Sequence, residues 1–226
     1  MWKDRTKLLI GEDGIDKLAS ARVCVIGLGG VGGYVCHLLA RAGVEHLTLV
    51  DFDVVDETNI NRQIVADSDV VGRLKTEVLK EQLLKINPKC QIVLCSERFN
   101  ESLAEKLFSK HFEYVVDAID SVTDKLTLIS YCKEHDINIV SAMGAGNRAG
   151  IPHFEILDVY KTKNDGLAKV MRKKLRDLGI NKLDVACCDE LPEKIDRRTS
   201  SVGSISYYPA MCGCVIAGFV INQLIK

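Results

Sequence analysis

The 226-residue chain lacks an excess of either charge: 30 Lys and Arg stand against 31 Asp and Glu, a formal net charge of -1. A whole-molecule field that draws the protein to nucleic acid is thereby excluded, and any RNA contact has to use a local patch. It also lacks a C-x-x-C pair. Cys24, Cys36, Cys90, Cys95 and Cys132 stand singly in apolar or mixed segments and read as reduced, mostly buried thiols of a cytoplasmic protein. Cys187-Cys188 and Cys212-x-Cys214 do not have the spacing of a tetrahedral thiolate zinc site. Residues 1–18 alternate charges with aliphatics, without the apolar core or small-residue cleavage site of a secretory signal. No long apolar run is uninterrupted: Tyr207 to Ile225 is broken by Pro209, Gly213, Gly218, Asn222 and Gln223, which predicts a buried C-terminal helix rather than a membrane span. No internal repeat or low-complexity tract is evident. The expectation is one compact, soluble, cytoplasmic domain, with residues 1–150 forming a nucleotide-binding part and 151–226 a substrate or lid part.

What is present is alternation. Short β-branched runs at Arg22–Ile26, His46–Val50, Gln91–Leu94, Tyr114–Val116 and Asn138–Val140 are separated by segments with apolar residues at three and four spacing. Those segments, Val31–Ala42, Arg73–Ile86, Leu103–Ser109 and Val122–His135, predict helices, so the class is α/β: a Rossmann-like, mostly parallel sheet with crossover helices. Gly144, Gly146, Gly150 and Pro152 mark a change. Beyond them a more irregular C-terminal part with antiparallel strands is predicted: a strand at Phe154–Tyr160, a basic helix at Gly166–Leu178, a strand at Lys182–Ala186, an exposed crossover or lid over Cys188–Val202, a final strand and the closing apolar helix.

Gly27-Leu28-Gly29-Gly30-Val31-Gly32 follows the first strand and opens the first crossover helix, the context that gives G-x-G-x-x-G meaning. Missing side chains let the backbone approach a nucleotide, and the helix N-terminus offers N–H donors. Asp51 ends the second strand, where an acid accepts from ribose hydroxyls. This loop alone suits NAD or FAD, so other residues have to decide the nucleotide. Downstream stand Asp53, Asn59, Arg62 and, at a helix start, Lys75. A nicotinamide enzyme has no need for such cations. In adenylation, a carboxylate oxygen attacks the α-phosphorus of ATP, and Arg and Lys stabilise the charge that builds on phosphate oxygens. Asp117 and Asp120 leave the fourth strand at its C-terminal end, where Mg2+ could bridge protein and phosphates. Taken singly, Lys75 and Arg62 read more readily as solvated charges and Asp120 as a helix N-cap; their order around the loop carries the functional reading.

The succession G-x-G-G-x-G, D-x-D, T-N-x-N-R-Q, a helix-leading Lys and D-A-x-D resembles the ThiF/MoeB/HesA ubiquitin-activating-like superfamily from about Arg5 to the C-terminus. The resemblance implies that Gly29 and Asp51 contact phosphate and ribose, that Asn59, Arg62 and Lys75 handle the triphosphate, and that Asp120 holds Mg2+. It also implies that Arg5 reaches across a homodimer to the partner's ATP. The segments Asp117–Lys125, Ser141–Arg148 and Asp158–Arg172 look like the tRNA threonylcarbamoyladenosine dehydratases, in which ATP activates the threonyl carboxylate of the modified adenosine and the side chain's own nitrogen closes a ring with net loss of water. That resemblance leaves room for a monovalent cation and for a sulfur-transfer partner.

A tRNA substrate needs a basic surface, and on the helix expected after Gly166, Lys169, Arg172, Lys173 and Arg176 share one face. The same stripe is equally an ordinary solvated helix face. Arg197-Arg198 is a second candidate. Cys187 or Cys188 could serve a thioester, although cyclising an acyl adenylate needs no covalent enzyme intermediate. His37, His46, His135 and His153 form no paired-base pattern. Two other functions share parts of the site: adenylation of a ubiquitin-like or sulfur-carrier protein, and, from another class, an NAD-dependent oxidoreductase. A non-catalytic interaction protein is a further alternative that the phosphate-handling residues oppose.

Overall fold

The computed structural model describes residues 2–193 and 202–226. Its parallel strands are β1 (Arg22–Ile26), β2 (His46–Val50), β3 (Gln91–Cys95), β4 (Tyr114–Asp117), β5 (Ile139–Ala142) and β7 (Asp184–Cys188), with β6 (Phe154–Asp158) antiparallel to β7 at one edge. The order β3-β2-β1-β4-β5-β7-β6 reverses between β1 and β4. At such a switch point the connections diverge and leave a crevice beyond the C-terminal strand ends.

The sheet is buried on both faces, which is why its strands read as continuous apolar runs. Along β1, Val23 and Val25 face a core shared with Val35, Leu39, Leu79, Leu83, Ile216 and Val220, whereas Cys24 and Ile26 face one shared with Leu103, Leu128, Ile129, Met171 and Leu175. Helices α2 (Gly32–Ala42), α3 (Lys75–Ile86) and α7 (Tyr207–Leu224) cover the first face, and α4 (Glu101–Leu107), α5 (Val122–Glu134) and α6 (Gly166–Asp177) the second. Each fully buried aliphatic side chain contributes about 1.5–3 kcal/mol.

The irregular part differs from expectation in register. β6 stops at Asp158 because that side chain caps a 3-10 turn at Val159–Lys161, accepting from the Tyr160 amide at 3.0 Å. β7 runs two residues later than predicted and takes in Cys187 and Cys188. No strand occurs among the described residues between Val202 and α7; residues 194–201, including Arg197 and Arg198, lie outside the described ones. An unexpected helix, α1 (Asp4–Ser20), bends at Gly11, whose φ is 72°.

α7 is long and apolar enough to cross a membrane by composition, but it packs on α2 and the sheet, burying Tyr208, Cys212, Gly213, Ile216, Ala217 and Val220. At Gly213 it crosses α2 so closely that a Cβ would lie 2.8 Å from the Val31 carbonyl oxygen. Gly213 therefore serves packing within the chain, while Gly218 faces open space.

Candidate active site

A cavity of about 690 Å3 opens over the β1/β4 switch point and brings Gly27, Gly29, Gly30, Asp51, Asp53, Asn59, Arg62, Lys75 and Asp120 onto one wall. Gly27 has φ 89°, and a Cβ there would lie 2.5 Å from the Ala118 carbonyl oxygen, so the chain leaves β1 against β4 only without a side chain. Gly32 opens α2, where a Cβ would collide with the Gly27 carbonyl oxygen. The resulting turn delivers the N-terminus of α2 to the cavity floor, an arrangement suited to an anion.

Asp51, at the end of β2, is held by two main-chain donors: Leu28 N–H to Oδ2 at 2.6 Å and Asp53 N–H to Oδ1 at 2.8 Å. Burial pushes its carboxyl above the usual range, opposed by those two bonds and by nearby Lys75. Lys75 is not a surface charge. It is 4% exposed, begins α3, and its Nζ lies 2.7 Å from Asp53 Oδ2. A cation at a helix N-terminus opposes the helix dipole, so its place there is not explained by helix stability. Asn59 closes a reciprocal cap: its Oδ1 accepts from Asp56 N–H at 3.2 Å, and Asp56 Oδ1 accepts from Thr58 N–H at 2.8 Å. The Asn59 amide N–H groups are not used in that cap. Arg62 is half-buried, with Nη1 donating to Thr58 O at 2.7 Å and Asn61 Oδ1 at 2.9 Å.

The two acids after β4 take different places. Asp117 is consumed inside the protein: its Oδ2 accepts from Lys125 Nζ at 2.8 Å, with both side chains fully buried, and its Oδ1 accepts from Ile119 N–H at 3.1 Å. Lys125 also donates to Ala142 O at 3.1 Å, tying α5 to the ends of β4 and β5. Asp117 is thus unavailable to a metal, contrary to the expectation of two carboxylates there. Asp120 is exposed at the cavity and is not a helix cap, because Ser121 caps α5 by accepting from Asp124 N–H at 3.4 Å. No group of three metal-ligating side chains occurs among the described residues. A hard ion that keeps most of its waters and phosphate ligands fits one carboxylate of this kind.

The opposite wall comprises Met143, Gly144, Ala145, Gly146, Leu167 and Val202, while Ser204 and Pro209 line the cavity beside Asn61 and Gly30. Sequence reasoning missed what holds it. Asp165 Oδ2 accepts from Gly144 N–H at 2.9 Å while Oδ1 caps α6 through Ala168 N–H at 2.7 Å. Buried Arg148 donates to Cys188 O at 2.7 Å and Asn164 O at 2.9 Å and lies 3.5 Å from Asp165. These partners are distant in sequence and follow no spacing rule, and with Arg148 after Asn147 and Asp165 after Lys163-Asn164 no apolar setting marks them as buried.

Arg5 is exposed on α1 and outside this cavity. Lys3, two residues earlier, pairs with Glu45 at 2.9 Å beside the start of β2, at the far end of the sheet. Cys187 and Cys188 are buried within β7, and burial pushes the Cys187 thiol up to about 12. All nine cysteines are free thiols. On α6, Lys169 and Lys173 are exposed, whereas Arg172 donates to Thr162 O at 3.0 Å and the Arg176 guanidinium sits 5.5 Å from the Tyr160 ring centre. The stripe is therefore two open lysines flanked by two committed arginines.

The ThiF family profile matches residues 4–226. The chain belongs to the ThiF family. It is 36% identical over 238 residues to the tRNA threonylcarbamoyladenosine dehydratase of Bacillus subtilis (strain 168), covering 98% of this chain and 94% of that protein. The crystal structure of the E. coli tRNA N6-threonylcarbamoyladenosine dehydratase in complex with ATP superposes with a TM-score of 0.92 at 33% identity, covering 98% of this chain and 93% of that one. The adenylyltransferase and sulfurtransferase UBA4 of Saccharomyces cerevisiae (strain YJM789) is 38% identical, but over 136 residues that span 60% of this chain and 31% of that protein. The ThiF-family fold thus covers both walls of the cavity, whereas the likeness to the UBA4 protein covers part of the chain.

Proposed function

We propose that the protein uses ATP and Mg2+ to adenylate the threonyl carboxylate of threonylcarbamoyladenosine in tRNA, and that the nitrogen of the same modification then closes a ring and expels AMP, a net dehydration. The observation that carries this reading is one cavity that joins a glycine-floored nucleotide wall, with buried Lys75 paired to Asp53, to a second wall against which a carboxylate substrate can lie. Near-full-length likeness to dehydratases supports the choice of carboxylate.

In this reading residues 1–150 carry the nucleotide side, with 143–148 reaching across to the acceptor side that 151–226 completes. Asp51 receives the ribose hydroxyls, Gly29 and the α2 N-terminus the first phosphate, and Asn59, Arg62 and Lys75 the outer phosphates. Asp120 would hold Mg2+, which neutralises phosphate charge when bound. Asp53 holds the Lys75 side chain in place until ATP arrives. The acyl adenylate needs no enzyme thiol, because its leaving group is AMP and its nucleophile is tethered; the burial of Cys187 fits that route. Lys169 and Lys173 meet tRNA phosphates, with Arg172 and Arg176 stiffening the helix face behind them. The protein works as a homodimer in the cytoplasm, with Arg5 serving the partner's cavity. Leu8 and Leu9, 86% and 87% exposed beside Arg5, are the apolar contact such a dimer would cover.

The test is nucleoside mass spectrometry of tRNA bearing threonylcarbamoyladenosine after incubation with the protein and MgATP. ATP-dependent loss of one water is expected. Unchanged nucleoside, with AMP formed instead on a carrier protein's C-terminus, would transfer the same adenylating chemistry to the second reading, for which the UBA4 likeness speaks.

A further inference from the structure

Gln63 closes the turn that carries Asn59 and Arg62, its main-chain N–H donating to Asn59 O at 2.9 Å. Its side chain is 7% exposed yet lines the cavity, and Oε1 is buried with no hydrogen-bond partner among the described residues. Leaving a buried amide oxygen unpaired carries a free-energy cost, and such groups are few in folded proteins. An apolar side chain of the same length would avoid that cost, so packing does not account for a glutamine here. The other end of the amide lies over the glycine loop: a Cβ placed on Gly29 would be 3.8 Å from Nε2. Among the described residues no side chain is bonded to that nitrogen. In the reading above Gly29 takes the first phosphate, with the ribose at Asp51 and the outer phosphates at Lys75, all three lining one cavity. The phosphate bonded directly to the ribose is the α-phosphate, so the group seated over Gly29 is the one that reacts.

Granted the adenylating reaction proposed above, we infer that Gln63 is a further catalytic residue whose amide N–H donates to a non-bridging oxygen of the α-phosphate. In that step a substrate carboxylate oxygen forms a bond to the α-phosphorus, and the bond from phosphorus to the oxygen bridging the β-phosphate breaks. Pyrophosphate leaves with the electron pair and no proton moves. Charge grows on the non-bridging oxygens in the transition state, where a neutral, preplaced donor acts most strongly. Because Gln63 carries no charge, it adds this contact without holding the departing pyrophosphate.

The experiment compares wild type with Gln63→Leu and the isosteric Gln63→Glu, using MgATP and tRNA bearing threonylcarbamoyladenosine. It follows AMP formation, ATP affinity, and the rate ratio for the two diastereomers of ATP carrying sulfur at the α-phosphate. Both variants should lower kcat by about 100-fold while ATP affinity changes little, the scale of losing one such donor, and the diastereomer ratio should narrow. A purely structural role would not move that ratio. Wild-type kcat in Gln63→Glu, or an unchanged ratio in both variants, overturns the assignment of Gln63 alone. A wild-type protein that forms no AMP from any carboxylate overturns the adenylating reading itself, and this role with it.

Discussion

The two walls of the cavity are held by different means. On the nucleotide wall, a glycine turn and main-chain donors at strand ends do most of the fixing: the Gly27–Gly32 turn, the Asp51 carboxylate on Leu28 and Asp53 amides, and the Asp56–Asn59 cap. On the acceptor wall, the ties reach across the chain: Asp165 to Gly144, Arg148 to Cys188 and Asn164, and Asn147 to Gly203 through two bonds of 2.6 and 2.7 Å. The first kind of wall is set by close backbone approach, which leaves no room for side chains at Gly27 and Gly32. The second depends on buried polar pairs, whose members are costly to orphan. On the proposed function, chemistry common to every acyl adenylation falls to the first and discrimination among carboxylates to the second.

The sharpest way to break this division is Lys75→Ala. It should lower AMP formation by about 10²–10³-fold while leaving a single cooperative urea transition, since its partner Asp53 is half-exposed and can hydrate. Activity within tenfold of wild type would remove Lys75 from the phosphate site. Next is the staple beneath both walls. Lys125→Met leaves Asp117 buried and unpaired and should cost about 3–5 kcal/mol of stability, measured by urea denaturation. The double change Lys125→Met with Asp117→Leu should recover much of it, and no recovery would mean that Lys125 acts by more than this pair.

Smaller effects probe the acceptor wall. Asp165→Asn keeps an α6 cap but removes the charge between Arg148 and Gly144, and should cost about 1.5–3 kcal/mol. It should raise KM for tRNA more than it weakens ATP binding; equal effects on both substrates would erase the distinction between the walls. Changing Lys169 and Lys173 together to Ala should weaken tRNA binding and reduce the slope of log affinity against log salt by about 2, roughly one per phosphate contact. An unchanged slope would return the stripe to an ordinary solvated face. Smallest of all is Cys187→Ser. With the thiol pushed up to about 12, thiolate is scarce at neutral pH, so turnover should stay near wild type and show no rise from pH 7 to 9 attributable to this group.

The contrast between walls also explains what could be read in advance. The parallel strands, crossover helices and glycine loop announce themselves through period and spacing, because both are local properties. Lys75, Arg62 and Asp120 were ambiguous one by one, and burial, not sequence, separates Lys75 from a solvated lysine. Asp117 and Asp120 are three residues apart and look alike, yet Lys125 withdraws one of them. α1 escaped notice because it buries only Gly14 and Leu18 and leaves Leu8 and Leu9 outside, so no continuous apolar face marks it. The two-residue shift of β7 followed from weak turn signals after Gly179, and with it the cysteine pair moved from a supposed loop into the sheet. The acceptor wall left no motif because its partners meet only in the folded chain.

The most direct test labels the threonyl carboxylate of the tRNA-bound substrate with 18O and follows the label through one turnover with MgATP. Attack on the α-phosphorus predicts one labelled oxygen in AMP, with unlabelled pyrophosphate. Label in inorganic phosphate, with ADP as the nucleotide product, would mean that the carboxylate attacks the γ-phosphorus, and would contradict the adenylating site described here.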